Sequence, residues 1–268
     1  MWSITHEMGL RMFRALTVTV VAALTTLGLT TAAEAATVNY VALGDSYSSG
    51  VGAGSYLDSS SCKRSANAYP YLYKKKTGAS LSFRACSGAK TGDVTSSQVA
   101  ALGSGTDLVS ITVGGNDAGF SGVMEDCILE GDSGCKTAVD NAVSYVHTTL
   151  PGRLASVYST IRSKAPNAEV VVLGYPHIYK IGGSCSVGLS DTSRGYLNSG
   201  ADALDTVIEK EATNAGFAFA DVRSAFTGHE ICSGSPWLHS VTWPVDESYH
   251  PTATGQASGY YPTFIAAF

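Results

Sequence analysis

Five short runs rich in β-branched and aromatic residues are spaced along the chain at 38–43 (VNYVAL), 81–85 (LSFRA), 108–113 (LVSITV), 169–174 (EVVVLG) and 217–222 (FAFADV). Long segments separate them, and two of those carry a helical period. Leu197, Ala201, Leu204 and Ile208 recur at steps of four, three and four, and Val139, Val143, Val146, Leu150 and Leu154 do the same, with a kink expected at Pro151-Gly152. Strands apolar on both faces, alternating with helices, are the pattern of a parallel sheet covered on both sides by βαβ crossovers. The reading is one α/β domain over residues 36–268, without internal repeats or a low-complexity linker.

The residues before that domain read as an address label. Arg11 and Arg14 precede an uncharged stretch from Ala15 to Ala33, followed by Ala33-Glu34-Ala35. A basic start, an apolar middle and small residues flanking a cleavage point describe a secretory signal peptide over 1–35, cut after Ala35. A permanent membrane anchor is not expected, because the threonines of this stretch lower its hydrophobicity and the cleavage site follows at once. All six cysteines lie beyond it, and an even count in an exported chain points to disulfides. Loop-closure entropy favours near neighbours, which pairs Cys62–Cys86, Cys127–Cys135 and Cys185–Cys232. No Cys-x-x-Cys pair is present, so a structural metal is not expected. The formal net charge of −5 offers no footprint for nucleic acid, and Lys74-Lys75-Lys76 reads as a solvated helix face.

In open parallel sheets ligands bind beyond the carboxyl ends of the strands, which directs attention to the residues just after each run. The first run enters Gly44-Asp45-Ser46, the second Cys86-Ser87-Gly88, and the third Gly114-Gly115-Asn116-Asp117. A serine opening a helix, a glycine whose N–H an anionic oxygen can approach, and a neutral carboxamide form a three-donor oxyanion hole beside a nucleophile: the N–H groups of Ser46 and Gly88 and the amide of Asn116. Among the histidines, His147 falls inside a helical pattern, whereas His177, His229 and His239 come after later segments. His250 is the best candidate base, with Asp246 and Glu247 just upstream to orient its imidazole.

At these residues the chain resembles the GDSL, or SGNH, hydrolases, in particular the secreted bacterial lipases, esterases and phospholipases A1. Four blocks agree in order over nearly the whole exported part: YVALGDSYSSGVGAG (40–54), ACSGAKTGD (85–93), ITVGGNDAGF (111–120) and ESYHPTATGQ (247–256). A lone Gly-Asp-Ser is weak evidence; a second one, Gly131-Asp132-Ser133, falls in the segment between Cys127 and Cys135 with no strand before it. The resemblance implies a flavodoxin-like three-layer α/β/α sandwich around a parallel sheet of about five strands, with Ser46 as nucleophile, His250 as base and no cofactor. No Gly-x-Ser-x-Gly elbow occurs, which argues against the α/β-hydrolase fold. The family's commonest pattern has an aspartate three residues before the histidine, whereas here that position is Glu247, with Asp246 one residue earlier. The orienting group is then the Glu247 side chain, a main-chain carbonyl near Glu247 or Ser248, or Asp246. The expected function is hydrolysis of lipid esters through a Ser46 acyl-enzyme by a secreted monomer, with its acyl groove drawn from loops such as 117–135 and 175–190. Phospholipase A1 and carbohydrate acetylesterase activities are the alternatives on the same fold.

Overall fold

A computed structural model describes residues 36–185 and 188–268; the expected signal peptide, residues 1–35, lies outside them. Five strands, β1 (Asn39–Gly44), β2 (Ser80–Phe83), β3 (Leu108–Thr112), β4 (Glu169–Leu173) and β5 (Ala218–Ala220), form one sheet in the order β2-β1-β3-β4-β5. Every pairing is parallel. β3 is buried at all five positions, as a strand covered on both faces must be.

One face of the sheet carries α2 (Tyr69–Thr77) and a C-terminal π-helical turn, Gly255–Tyr260, that runs into α9 (Tyr261–Ile265). Tyr40, Tyr69, Tyr73, Tyr260 and Phe264 interlock there at ring centroid distances of 5.2–5.8 Å. The Tyr40 and Tyr69 hydroxyls are served by a buried polar thread in which Ser110 Oγ meets both and Tyr69 meets Ser48. α6 (Leu150–Lys164) and α7 (Asp191–Asn214) cover the opposite face with Leu154, Val157, Ile161 and Ile208, all fully buried. Two short helices, α3 (Thr91–Ser96) and α8 (Arg223–Phe226), lie in the connections after β2 and β5. The layers are those of a three-layer α/β/α sandwich.

The apolar period from Val139 to Leu154 is divided between two helices rather than carried through one kinked helix. α5 (Gly131–Thr148) ends before Leu150, and Pro151 stands in the first turn of α6. Proline lacks the N–H that an interior position needs and is tolerated at a helix start, so the break is complete. The disulfides join Cys62 to Cys86, Cys127 to Cys135 and Cys185 to Cys232. Strand order reverses between β1 and β3, and the chemistry-bearing turns after these two strands therefore meet at the topological switch point.

Candidate active site

The turn after β1 is shaped by sterics before chemistry. Gly44 has φ +116°, and a Cβ there would lie 2.3 Å from the Thr112 carbonyl oxygen of β3, so only glycine fits. Buried Gln98 accepts from the Gly44 N–H at 2.7 Å and donates to its carbonyl at 2.9 Å. Asp45 then caps α1 (Ser46–Ser49), its Oδ1 accepting from the Tyr47 N–H at 3.0 Å and from Thr112 Oγ1 at 2.6 Å. The Tyr175 hydroxyl, from the segment after β4, donates to Asp45 Oδ2 at 2.5 Å. Burial raises the Asp45 carboxyl to about 6, against the hydrogen bonds from Thr112, Tyr175 and the backbone that favour its charged form.

Ser46 Oγ lies 2.7 Å from His250 Nε2, although 204 residues separate the two. On the other side of the ring, His250 Nδ1 lies 3.0 Å from the Ser248 carbonyl oxygen. A carbonyl only accepts, so Nδ1 carries the proton and Nε2 presents its lone pair to the serine hydroxyl. Of the orienting groups left open by the sequence, the main-chain carbonyl of Ser248 faces the imidazole. The Glu247 carboxylate is turned away, accepting from the Tyr56 hydroxyl at 2.7 Å, and Asp246 pairs with Lys63 at 2.6 Å. Removal from water lowers the His250 imidazole to about 4, outweighing the Ser248 carbonyl and Asp246, which favour the protonated ring.

The histidine loop is held from several directions. Tyr249 occupies the left-handed region at φ +65°, a conformation that a bulky residue keeps only when its surroundings enforce it. Here the Tyr47 hydroxyl donates to the Tyr249 carbonyl at 2.7 Å. The His239 carbonyl accepts from the Tyr249 N–H, and the His239 N–H donates to the His250 carbonyl. His239 Nε2 in turn meets the Gly52 carbonyl at 2.8 Å.

Ser46, Gly88 and Asn116, the three expected oxyanion donors, line one cavity together with His250. Among the described residues, the N–H groups of Ser46 and Gly88 donate to no protein acceptor. Gly88 sits at φ +77° in a loop pinned by the Cys62–Cys86 disulfide and by Ser87 N–H donating to the Cys62 carbonyl. Asn116 Nδ2 donates one hydrogen to Ala89 O at 3.1 Å, which aims the amide and leaves its second hydrogen for substrate. The neighbouring Asp117 carboxylate accepts from Thr91 Oγ1 at 2.6 Å and Thr91 N–H at 2.9 Å, locking the Gly88 and Asn116 loops together.

The remaining histidines of the domain are engaged elsewhere. His147 is exposed on α5, His177 pairs with Asp202 at 2.9 Å, and His229 stacks on Trp237 with ring centroids 3.6 Å apart. The second Gly-Asp-Ser, within the span closed by Cys127–Cys135, opens helix α5, and Asp132 accepts from Ser193 at 2.6 Å.

A cavity of about 720 Å³ leads from Ser46, Asn116 and His250 between α4 (Phe120–Leu129), α5 and α7. Its wall is largely apolar, built from residues such as Met124, Val139, Val143, Val146 and Leu204. Helix faces therefore supply most of the groove, where loops were expected from the sequence. After β4, Tyr175, Ile178 and Tyr179 are buried, and Tyr175 and Ile178 contribute to the same wall.

The GDSL-like Lipase/Acylhydrolase family matches residues 42–257. A lipase of Streptomyces rimosus is 58% identical over 231 residues, covering 85% of this chain and 86% of that protein. Lipase 1 of Streptomyces coelicolor is 56% identical over 250 residues, covering 92% and 93%. Among solved structures, the extracellular lipase of S. rimosus superposes with a TM-score of 0.84 at 57% identity, covering 86% of this chain and all of that one. The phospholipase A1 of Streptomyces albidoflavus NA297 also gives 0.84, at 53% identity, covering 87% of this chain and all of that one. Sequence family, fold and these relatives agree, and the chain belongs to the GDSL-like lipase/acylhydrolase family as a carboxylic ester hydrolase.

Proposed function

We propose that the protein cleaves esters of long-chain acyl lipids through an acyl-enzyme on Ser46. The observation that carries this reading is the 2.7 Å approach of His250 Nε2 to Ser46 Oγ at the head of an apolar cavity. His250 takes the hydroxyl proton as Ser46 Oγ bonds to the ester carbonyl carbon. The carbonyl oxygen gains the charge and is held by the N–H groups of Ser46 and Gly88 and the Asn116 amide, each worth about 3 kcal/mol in the transition state. Collapse breaks the bond to the leaving alcohol, which receives the proton from Nε2. Water then gives its proton to His250, attacks the acyl-enzyme, and releases the fatty acid as the proton returns to Ser46.

A wall built from aliphatic side chains suits an acyl chain better than a sugar, which favours lipid esters over acetylated carbohydrate. Similarity to a phospholipase A1 supports glycerophospholipids as a second substrate class. Mature enzyme should prefer longer acyl chains in a nitrophenyl ester series, and Ser46→Ala and His250→Ala, each folded by circular dichroism, should each lose at least about a thousandfold in kcat/KM. Activity surviving Ser46→Ala would place the nucleophile elsewhere. Phosphatidylcholine with different acyl chains at its two glycerol positions would show which ester is cut. Export is part of the same reading, supported by the extracellular S. rimosus relative. N-terminal sequencing of protein recovered from the medium should begin at Ala36, and size-exclusion chromatography should find a monomer.

A further inference from the structure

Nine large hydrophobic side chains are exposed among the described residues, and five belong to two segments beside the catalytic pair. Val241, Trp243 and Val245 are 65%, 88% and 63% exposed on the loop leading to His250. Ile128 and Leu129, 48% and 73% exposed, end α4. Val241, Val245, Ile128 and Leu129 also line the cavity that contains Ser46 and His250, so both segments flank one opening. Scattered exposed hydrophobics need no explanation, but apolar side chains gathered around a substrate opening do.

The loop bearing Trp243 is braced. Thr242 N–H donates to Ser248 Oγ at 3.0 Å, the Ser248 hydroxyl donates back to the Thr242 carbonyl, and Ser248 N–H donates to the Val245 carbonyl. Ser248 is also the residue whose carbonyl meets His250. The indole is therefore held out in water by a rigid mount tied to the catalytic histidine.

Charge narrows the occupant. From Phe120 to Cys135 the chain carries Glu125, Asp126, Glu130 and Asp132 and no lysine or arginine before Lys136, which pairs with Asp140, and residues 240–249 contain Asp246 and Glu247 and likewise none. Lys63, which reaches the second segment, is paired with Asp246. An acidic, apolar rim is repelled by an anionic lipid surface and suits a zwitterionic or uncharged one. A second copy seated here would cap the opening through which substrate must pass.

We propose that Trp243, with Val241, Val245, Ile128 and Leu129, docks the enzyme on zwitterionic or uncharged lipid–water interfaces and sets the cavity mouth against the lipid acyl chains. Indole combines a large apolar face with one polar N–H and settles at the boundary between headgroups and hydrocarbon. The inference rests on the acyl-hydrolase reading, and a soluble short-chain ester tests that reading separately, since its hydrolysis needs no interface.

The experiment compares wild type, Trp243→Ala and Trp243→Phe on phosphatidylcholine vesicles, on phosphatidylglycerol vesicles and on a dispersed short-chain nitrophenyl ester. Wild-type emission minus that of Trp243→Ala isolates the Trp243 signal, which should shift to the blue on phosphatidylcholine and be quenched by brominated acyl chains. Trp243→Ala should weaken vesicle binding and lower vesicle hydrolysis about tenfold or more while leaving the short-chain ester rate unchanged. Trp243→Phe should recover most of the loss, and phosphatidylglycerol should bind wild type more weakly. An unshifted Trp243 signal, or equal vesicle binding and hydrolysis by wild type and Trp243→Ala, would overturn the proposal. Tighter, salt-sensitive binding to phosphatidylglycerol would overturn its charge argument. A wild-type dimer that Trp243→Ala converts to monomer would reassign the face to self-association. Failure of wild type to cleave the short-chain ester would instead remove the hydrolase reading beneath it.

Discussion

The Ser248 carbonyl, not a carboxylate, faces His250 Nδ1 at 3.0 Å, which changes what substitution nearby should do. Glu247 spends its carboxylate on Tyr56 and lies 3.8 Å from Lys63, so Glu247→Gln should lower kcat by less than about fivefold, the scale of partly exposed ion pairs. A carboxylate that held the imidazole would cost about 10,000-fold on the same amide replacement, and steady-state kinetics on a soluble ester separates the two outcomes. Tyr175 has a larger part. Its hydroxyl donates to Asp45 at 2.5 Å and lies 3.4 Å from the Gly115 nitrogen, spanning the nucleophile turn and the loop that carries Asn116. Tyr175→Phe should therefore reduce kcat by about 10- to 100-fold with little change in KM, because slight displacement of a donor weakens the transition state more than the bound substrate. That Ser46, Gly88, Asn116 and His250 would meet at one cavity was legible in the sequence because each sits in a short motif at or near a strand end or helix start. Tyr175 and Gln98 were not legible, since their partners lie 130 and 54 residues away and neither carries a local signature.

At the scale of elements, five strand runs and two helical periods announced the fold because pleat and helix periods are short-range properties. The division between α5 and α6 was missed. The apolar period continues in register through the junction, while the break depends on the local cost of proline after a completed helix. The disulfides join elements rather than strengthen them. Cys127–Cys135 links α4 to α5 across a separation of 8, whereas Cys185–Cys232 spans 47. On the chain-entropy account these closures stabilise by about 2.5 and 4 kcal/mol. Full reduction, checked by thiol titration, should lower Tm, and a Cys185→Ser/Cys232→Ser pair should lower it more than Cys127→Ser/Cys135→Ser. Equal losses from the two pairs would contradict the loop-length argument.

For the whole molecule, two groups at the site, buried Asp45 and half-buried His250, tilt stability in opposite directions with pH. His250 falls from its ordinary value of 6.5 to about 4 on folding, so the unfolded chain binds more protons between those values and stability drains away as pH falls through that window. Asp45 rises from 3.8 to about 6, so its contribution is present below 3.8 and is lost as pH rises through 6. Their slopes oppose between about 4 and 6. Removing His250 leaves the Asp45 slope in place, so the Tm of His250→Ala should gain on wild type as pH is lowered from 6.5 to 4, and parallel melting curves would show that the imidazole is not held neutral by burial. By itself the sequence determined the α/β class, the strand runs, and the turns bearing Ser46, Gly88, Asn116 and His250, because backbone sterics and hydrophobic period act over a few residues. Only the tertiary structure decided the strand order, the Ser248 carbonyl rather than Glu247 beside the His250 ring, and the helix faces that line the apolar cavity. Those depend on which distant segments become neighbours and on which partner each side chain finds there.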